Sequence, residues 1–295
     1  MGSAIPPRTV KELVVSSARW LEGRGVEEAR LDAELLVAAA LQKSRLGLWL
    51  VHDMPVDGVV LDRAREAIQR RGRGEPVAYI LGEQEFHGHC FKVTRATLIP
   101  RPETEHLVDE ALSLLPARAD GLRPQVVDLG TGTGCIAISL ALARPDLEVT
   151  AVDISADALA VAAGNAERLG AGIHCVNQDM FAFLAGAGGF DLVLSNPPYI
   201  TEGERASLQR EVRDWEPELA LMSGEDPLRF HARLAAHLVT ALKPRGHALM
   251  ELPALDGVGL QRAKELGTGF TTRCVNDLAG IPRVLVLSRN AASGG

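Results

Sequence analysis

The strongest constraint on the fold is an alternation of short apolar segments with helical patterns, which runs from Gln125 towards the end of the chain. Segments rich in Val, Ile and Leu are followed by stretches of helical periodicity, the pattern of a parallel sheet with helices on both faces. The predicted strands are residues 126–129, 149–152, 173–176, 192–195, 248–252, 271–275 and 284–287.

The last two predicted strands add a hairpin to this sheet. Residues 276–283, which separate them, are too few for a crossover helix, so these strands should pair antiparallel. We therefore expect an α/β fold whose doubly wound, seven-stranded sheet carries a reversed hairpin at one edge.

The first part of the chain has apolar residues at helical spacing. Thr9 and Glu12 match a capping box, and Gly23 follows the last turn of the helix that they begin. The predicted helix faces are Val10, Leu13, Val14 and Leu21; Leu31, Leu35, Ala38 and Leu41; and Leu61, Ala64 and Ile68. We expect a small helical bundle, closed by a basic run at residues 70–74 that is either a solvated turn or a contact for an acidic partner.

Extended residues between 85 and 100 predict a β-hairpin that links the bundle to the sheet. Pro102 suits the first position of the next helix, and Glu103 and Glu105 complement the positive end of its dipole, which favours a structural role for both carboxylates. The predicted domains are residues 1–84 for the helical bundle, 85–104 for the linker and 105–295 for the sheet domain.

Composition excludes several classes of protein. Hydrophobic residues make up 46% of the chain, enough for a large core, so a disordered or fibrous chain is excluded. The 31 Lys and Arg against 38 Asp and Glu give a net charge of -7, which argues against a general basic surface for long nucleic acids. The longest apolar runs are too short to cross a membrane, and no signal peptide is visible, so we expect a cytoplasmic protein.

Cys90, Cys135, Cys175 and Cys274 are scattered without a CxxC pair, so we expect reduced thiols rather than disulfides or a zinc ribbon. In an extended segment, His87 and His89 would place both imidazoles on one face beside Cys90. No further Cys or His set completes a tetrahedral site, and we therefore predict no metal.

A glycine-rich turn follows the first predicted strand of the sheet. Its sequence, Asp128-Leu-Gly130-Thr-Gly132-Thr-Gly134, lets the backbone approach a ligand at the carboxyl end of the strands. The next strand ends at Asp153, where a carboxylate can accept hydrogen bonds from ribose hydroxyls. The GxGxG spacing departs from the dinucleotide GxGxxG, and no Walker lysine follows, so S-adenosylmethionine fits better than a dinucleotide.

The second motif is Ser195-Asn196-Pro197-Pro198-Tyr199, at the end of the fourth predicted strand. Two prolines remove backbone donors and leave carbonyl oxygens free, so the motif predicts a pocket rich in hydrogen-bond acceptors. The Asn196 side chain and the Pro197 carbonyl can hold both N–H bonds of a planar NH2 group, and Tyr199 can stack on its plane. An ordinary proline turn is the structural alternative.

The glycine turn followed by Asn-Pro-Pro-Tyr resembles the class I, Rossmann-like amino-methyltransferases. Three further blocks make the chain similar to the HemK-type peptide chain release factor glutamine methyltransferases. They are Gly-Glu-Pro-Val-Ala-Tyr-Ile-Leu-Gly-Glu from Gly74, Glu-Phe-His-Gly from Glu85 and Leu-Ile-Pro-Arg-Pro-Glu-Thr-Glu from Leu98. This resemblance implies methylation, from S-adenosylmethionine, of the glutamine amide nitrogen N5 in the Gly-Gly-Gln motif of bacterial release factors, with no direct need for nucleic acid or membrane.

The resemblance also implies which residues form the site. Those that bind the cofactor would be Gly130, Thr131, Gly132, Thr133, Gly134, Asp153, Met180 and Asn196. Those that bind the substrate glutamine would be Asn196, Pro197, Pro198 and Tyr199, with Asn196, Pro197 and Tyr199 carrying the catalytic role. Asp128 should lie near the amino-acid end of the cofactor, and residues 1–84 should recognise the release factor.

Two positions depart from the family pattern: Met180 stands where an aromatic residue is common, and Glu251-Leu-Pro-Ala-Leu-Asp replaces a turn with Gly and Gln. Two other hypotheses stay open. One is an amino-methyltransferase that acts on a nucleic-acid base or a ribosomal-protein glutamine. The other is a regulatory module that binds a ribose ligand without turnover.

Overall fold

The chain forms two compact units in a computed structural model that describes residues 9–115 and 123–290. The N-terminal unit contains the described residues up to Gly82 together with Gln209–Trp215, and the sheet unit contains Glu83–Leu208 and the described residues from Glu216 onward. The predicted domain 105–295 includes residues 209–215, whereas these residues make their contacts with the N-terminal helices. Within the described residues, no helix is both long and apolar enough to span a membrane.

Twelve α-helices and eleven strands are found in the described ranges. The helices are α1 Val10–Glu22, α2 Ala29–Ala40, α3 Gly58–Gly72, α4 Val77–Leu81, α5 Pro102–Leu114, α6 Cys135–Ala143, α7 Ala156–Leu169, α8 Met180–Gly186, α9 Arg210–Trp215, α10 Glu218–Leu221, α11 Arg229–Ala241 and α12 Gly257–Glu265. The strands are β1 Glu83–Phe86, β2 His89–Lys92, β3 Gln125–Leu129, β4 Glu148–Asp153, β5 Ile173–Asn177, β6 Phe190–Ser195, β7 Ile200–Thr201, β8 Met222–Gly224, β9 Leu242–Glu251, β10 Phe270–Asn276 and β11 Pro282–Arg289.

The first helix begins and ends where the sequence predicts. The Glu12 backbone N–H donates to Thr9 Oγ1 at 3.3 Å, and the Thr9 N–H donates to the Glu12 carboxylate at 3.3 Å, which completes the capping box. Gly23 caps the other end, and Val10, Leu13 and Leu21 are buried on the predicted face.

The predicted face of α2 is displaced by about one residue. Leu36 and Val37 are buried, whereas Leu31 and Leu35 are only half-buried. The buried face also contains Asp32, whose carboxylate accepts from Arg71 Nε at 2.6 Å. Because a buried charge needs a partner, Arg71 of α3 allows a polar residue to take a core position that hydrophobic periodicity does not predict.

The basic run that closes the bundle is not a solvated turn. Arg70 forms a two-pronged ion pair with Glu75, and Arg71 is buried between Asp32 and Glu211 of α9. The acidic contacts of these two arginines therefore lie within the N-terminal unit itself.

All seven predicted strands are present in one sheet, whose strand order is β10-β11-β9-β6-β3-β4-β5. β11 runs antiparallel to both β9 and β10, which confirms the reversed edge hairpin. The largest difference in length is β9, which begins at Leu242 rather than at residue 248. Polar residues near its start interrupt the apolar run, but Leu242 pairs with Phe190 across a register shift.

Alternate residues of the strands face two apolar layers. On one face, Val126 and Leu192 pack with α5, α6 and α7; on the other, Val127 and Val193 pack with α8, α11 and α12. Strands buried on both faces explain why their sequences are continuous apolar runs.

The predicted linker hairpin is formed by β1 and β2, and it packs with the sheet unit. Phe86 and Phe91 are buried in the apolar layer that contains α5, α6 and α7. The buried Asn165 of α7 accepts from the Lys92 N–H at 2.8 Å and donates to the carbonyl oxygens of Lys92 and Thr133, each at 3.0 Å. This side chain therefore joins the hairpin to the glycine turn.

Candidate functional site

The glycine turn lies between β3 and α6, beside the position where the strand order reverses. Gly130, Gly132 and Gly134 all have positive φ angles, of 74°, 55° and 80°, which non-glycine residues rarely adopt. A Cβ atom on Gly134 would lie 2.9 Å from Ile138 Cδ1, so this glycine is also needed for close packing. At Gly132 a Cβ atom would meet nothing within 4 Å, and the backbone there faces open space.

Two carboxylates hold this turn. Asp153, at the end of β4, accepts from the Gly132 N–H and from the Ser155 N–H, each at 2.9 Å. The fully buried Asp128 accepts from Thr131 Oγ1 at 2.6 Å, and burial raises the pKa of its carboxyl to about 7. The predicted ribose partner Asp153 is thus also a clamp on the loop, a role that the sequence did not reveal.

The Asn-Pro-Pro-Tyr motif follows β6, which is the direct neighbour of β3. The Ser195 hydroxyl donates to the Leu129 carbonyl at 2.8 Å and so fixes the start of the motif beside the glycine turn. Asn196 Nδ2 donates to Thr104 Oγ1 at 3.1 Å. Among the described residues no group donates to Asn196 Oδ1, which leaves this oxygen as an acceptor.

Behind the motif lies a buried carboxylate that sequence analysis did not include in the site. Glu251, at the end of β9, accepts from Thr104 Oγ1 at 2.6 Å through Oε2 and from the Tyr199 hydroxyl at 3.4 Å through Oε1. Burial raises the pKa of the Glu251 carboxyl to about 7. Burial and the nearby Glu251 also raise the pKa of Tyr199, so its hydroxyl stays protonated and donates.

A cavity of about 290 Å³ joins the two motifs. Eight of the predicted residues line it: Gly130, Thr131, Gly132, Thr133, Asp153, Met180, Asn196 and Pro198. Gly134, Pro197 and Tyr199 do not line this cavity; Gly134 caps α6, and Tyr199 contacts Glu251. The structure therefore brings most of the predicted site together around one space.

Apolar and aromatic side chains form part of the cavity wall. Met180 begins α8 after its cap Asp179, and its Cε lies 3.3 Å from where a Cβ of Gly130 would stand. Phe181 and Phe230 line the same cavity with their ring centroids 5.7 Å apart. Aromatic surface is therefore present although Met180 itself is not aromatic.

A cation also lines the cavity. Arg101 pairs with the buried Glu216, whose other carboxylate oxygen accepts from the Ile99 N–H at 3.1 Å. The residues that follow Glu216 include Pro217 and Leu219, which line the cavity as well. The Leu98–Glu105 block thus contributes Arg101 and Thr104 to the site, a contribution that its helix-start pattern alone does not indicate.

The histidine and cysteine cluster lies elsewhere. His87 Nε2 lies 3.1 Å from Asp109 Oδ1, the His87 N–H donates to Glu105 at 2.8 Å, and Cys90 is exposed. Glu105, in the first turn of α5, thus also holds the β1–β2 hairpin, a contact that the helix-dipole argument does not predict. In the described part of the chain, no group of three or more His, Cys, Asp or Glu could hold a metal ion.

Comparison with known proteins agrees with this geometry. A family model described as methyltransferase small domain matches residues 105–213, and a model described as PrmC N-terminal domain matches residues 12–82. The catalytic domain of hMettl16, solved with the MAT2A 3'UTR hairpin 6, aligns over 79% of this chain and 82% of its own, with 18% identity and a TM-score of 0.53. The fold and the glycine-turn site define a class I methyltransferase.

Sequence similarity narrows the class further. Release factor glutamine methyltransferase of Koribacter versatilis is 41% identical over 94% of this chain and 98% of its own length. The protein of the same name from Nitratidesulfovibrio vulgaris is 40% identical over 96% of both chains. The chain belongs to the release factor glutamine methyltransferase family.

Proposed function

We propose that the protein transfers a methyl group from S-adenosylmethionine to the side-chain amide nitrogen N5 of the glutamine in the Gly-Gly-Gln motif of bacterial peptide chain release factors. Membership of the family supports this substrate. The observation that carries the proposal is Asn196 Oδ1, an acceptor without a donor in the described chain, at a cavity also lined by the glycine turn and Asp153.

The cavity residues fit S-adenosylmethionine. The turn from Gly130 to Gly134 can lie against the methionine part, and the Asp153 carboxylate has lone pairs left for ribose hydroxyls after accepting two backbone N–H groups. Met180 with Phe181 and Phe230 offers apolar surface to an adenine ring. When bound, this cofactor supplies a methyl group on a positively charged sulfur.

The protein's own task is to position the acceptor nitrogen. An amide nitrogen is a poor nucleophile because its lone pair is delocalised over the planar group. Asn196 Oδ1, at the cavity, accepts one of its N–H groups, and Pro198, which also lines the cavity, lies against its plane. The Pro197 carbonyl as second acceptor and Tyr199 as stacking partner stay predictions, since neither residue lines the cavity. Positioning of this kind lowers the barrier without a covalent intermediate on the protein. With the cofactor bound, the carbon–nitrogen bond would form as the carbon–sulfur bond breaks, and the amide nitrogen would then release one proton to water.

Specificity for a whole protein requires contacts outside this pocket, since a planar amide alone offers little to distinguish. We assign that role to the helical domain at residues 1–84, with residues 85–104 as the linker and 105–295 as the catalytic domain. Release factors act in translation, so the proposal includes a cytoplasmic location.

The test uses purified protein, methyl-labelled S-adenosylmethionine and unmodified release factor. Mass spectrometry should find one added methyl group on the glutamine of the Gly-Gly-Gln motif, and a release factor with Asn at that position should stay unlabelled. Label on a ribosomal protein or a nucleic-acid base, with none on the release factor, would favour the alternative amino-methyltransferases. Failure to bind S-adenosylmethionine in calorimetry would favour a regulatory module with another ligand.

A further inference from the structure

The hydroxyl of Thr104 stands between a buried carboxylate and the Asn196 amide. Its Oγ1 lies 2.6 Å from Glu251 Oε2 and 3.1 Å from Asn196 Nδ2. Both Thr104 and Glu251 are almost completely buried, with 3% of each residue exposed. Water therefore has little access to the Thr104 hydroxyl and the Glu251 carboxylate.

The chemistry of the three groups fixes the direction of each hydrogen bond. A threonine hydroxyl has one proton, and an ionised carboxylate can only accept. The Thr104 proton is thus directed to Glu251, and its oxygen can only accept from Asn196. This requires the Asn196 NH2 end to face Thr104 and leaves Oδ1 for the cavity.

We propose that Glu251 is a positioning residue that determines, through the Thr104 hydroxyl, which end of the Asn196 amide faces the cavity. The inference rests on the proposed function, because an acceptor at this point is useful only if the substrate presents N–H groups. Neither Glu251 nor Thr104 needs to touch the substrate in this arrangement.

Protonation of Glu251 removes the constraint. A protonated carboxyl can donate to Thr104 Oγ1, and the Thr104 proton can then donate to Asn196 Oδ1. The Asn196 amide can turn over, and its NH2 end faces the cavity. The NH2 group of Asn196 would then face the NH2 group of the substrate amide, so the substrate amide loses a hydrogen-bond acceptor.

The surroundings of Glu251 allow this change near neutral pH. Burial raises the pKa of its carboxyl to about 7, and the charge of Glu103 acts in the same direction. Arg283 on β11 and the hydroxyls of Thr104 and Tyr199 favour the ionised form. The remaining titratable groups near Glu251 or its hydrogen-bond partners are His231, whose Nε2 lies 2.7 Å from the Glu251 carbonyl oxygen, Cys135 and Arg101.

The first test measures single-turnover methylation of release factor at saturating cofactor and substrate. Thr104→Val and Glu251→Gln should each lower the rate by about tenfold, the value of one net hydrogen bond, and Thr104→Ser should restore most of it. In the unaltered protein the rate should fall by about tenfold in total as pH decreases through about 7, and it should then level off at the rate of the two variants. That acid limb should vanish in both Thr104→Val and Glu251→Gln.

The pH profile of Thr104→Val distinguishes two roles for Glu251, because the acid limb is lost if Glu251 positions Asn196 and is kept if Glu251 is a general base. If Glu251 instead removed the substrate proton, Thr104→Val would keep the acid limb and only Glu251→Gln would lose it, which would overturn the proposal. Thr150→Val on β4 and the exposed Glu148→Gln are matched controls outside the cavity, and both should keep the rate and the limb.

The second test needs neither cofactor nor substrate. The chain contains five asparagines, so asparagine labelled with ¹⁵N gives five side-chain amide signals for NMR, and the signal lost in Asn196→Ser identifies Asn196. This signal should titrate with an apparent pKa of about 7 and become independent of pH in Thr104→Val. Asn165, held by backbone carbonyl oxygens, provides an internal reference that should not titrate.

The two tests distinguish failure of the proposal from failure of the proposed function. If the unaltered protein methylates no release factor, the function is wrong, but the NMR titration still supports or overturns the assignment of Glu251. An Asn196 signal that does not change with pH, or that titrates equally in Thr104→Val, would overturn it.

Discussion

Both units bury carboxylates that pair with arginines, Glu216 with Arg101 in the sheet unit among them, but the sheet unit also buries two that are hydrogen-bonded to hydroxyls instead. In the N-terminal unit, Asp32 pairs with Arg71 at 2.6 Å and Glu75 pairs with Arg70. In the sheet unit, the side-chain partners of Asp128 and Glu251 are hydroxyls, and burial raises the pKa of each carboxyl to about 7.

This difference separates carboxylates with a structural role from carboxylates that can change protonation. A carboxylate paired with a guanidinium contributes mainly by holding two segments of the chain in one arrangement. A carboxylate bound only by hydroxyls can change protonation near neutral pH. Carboxylates of the second kind lie at the carboxyl ends of β3 and β9, where the candidate site is found, and in the helical unit Asp32 and Glu75 are of the first kind.

The largest effect is expected on the stability of the N-terminal unit when its buried ion pair is removed. Arg71→Ala leaves Asp32 buried without its partner, which should lower the free energy of unfolding of this unit by about 3–5 kcal/mol. Trp20, Trp49 and Trp215 all lie in this unit, so tryptophan fluorescence in a denaturant titration reports on it. Affinity for S-adenosylmethionine should be retained, whereas methylation of intact release factor should be lost.

Arg45→Ala is the control, because the Arg45 side chain is more than half exposed and Glu34 keeps a second partner in Arg30, so this pair should contribute less than about 1 kcal/mol. Equal unfolding curves for Arg71→Ala and Arg45→Ala would contradict the structural role of the buried pair. Full methylation by an Arg71→Ala protein whose N-terminal unit has unfolded would show that recognition does not use this unit.

The next effect concerns the acceptor in the sheet unit. Asn196→Ala should lower single-turnover methyl transfer by about 100- to 1000-fold, because a preorganised hydrogen-bond partner of the reacting group is removed. Affinity for the cofactor should change by no more than a few-fold. Asn276→Ala, at the end of β10, is the control and should keep normal turnover. A rate within a few-fold of the unaltered protein would mean that the acceptor pocket is assigned wrongly.

The smallest effect is expected at the clamp on the glycine turn. Asp153→Ala removes both the predicted ribose contact and the acceptor for the Gly132 N–H, so cofactor affinity should weaken by about 1.5–3 kcal/mol. Isothermal calorimetry measures this change directly. Asp157→Ala, an exposed position in the first turn of α7, should bind normally, and equal affinities for the two variants would argue against the clamp.

The sheet could be predicted from the sequence because its information is local. The apolar runs that form β3, β4 and β6, and the glycine and Asn-Pro-Pro-Tyr motifs at their ends, lie in short windows of the chain. The contact between Thr104 and Glu251 could not be predicted, since it joins residues 147 positions apart and neither of the two segments indicates a contact with the other. The sequence marks the Glu251 turn only as a departure from the family pattern, which does not indicate a contact with Thr104.

The buried face of α2 could not be predicted correctly for a related reason. Hydrophobic periodicity treats Asp32 as a surface residue, and only its distant partner Arg71 makes the buried position possible. The contacts of α9 with the N-terminal helices could not be predicted for the same reason, because the ion pair between Glu211 and Arg71 joins residues that are far apart in the sequence.

The position of α9 has a consequence for synthesis of the chain. The N-terminal unit is discontinuous: 126 residues, from Glu83 to Leu208, separate its helices from the segment Gln209–Trp215 that supplies Glu211. At a translation rate of about 5–20 residues per second, the nascent helices wait roughly 6–25 s for that segment. During this time Arg71 has Asp32 as a partner but not Glu211. The first unit to emerge from the ribosome is therefore completed only after much of the sheet has been translated.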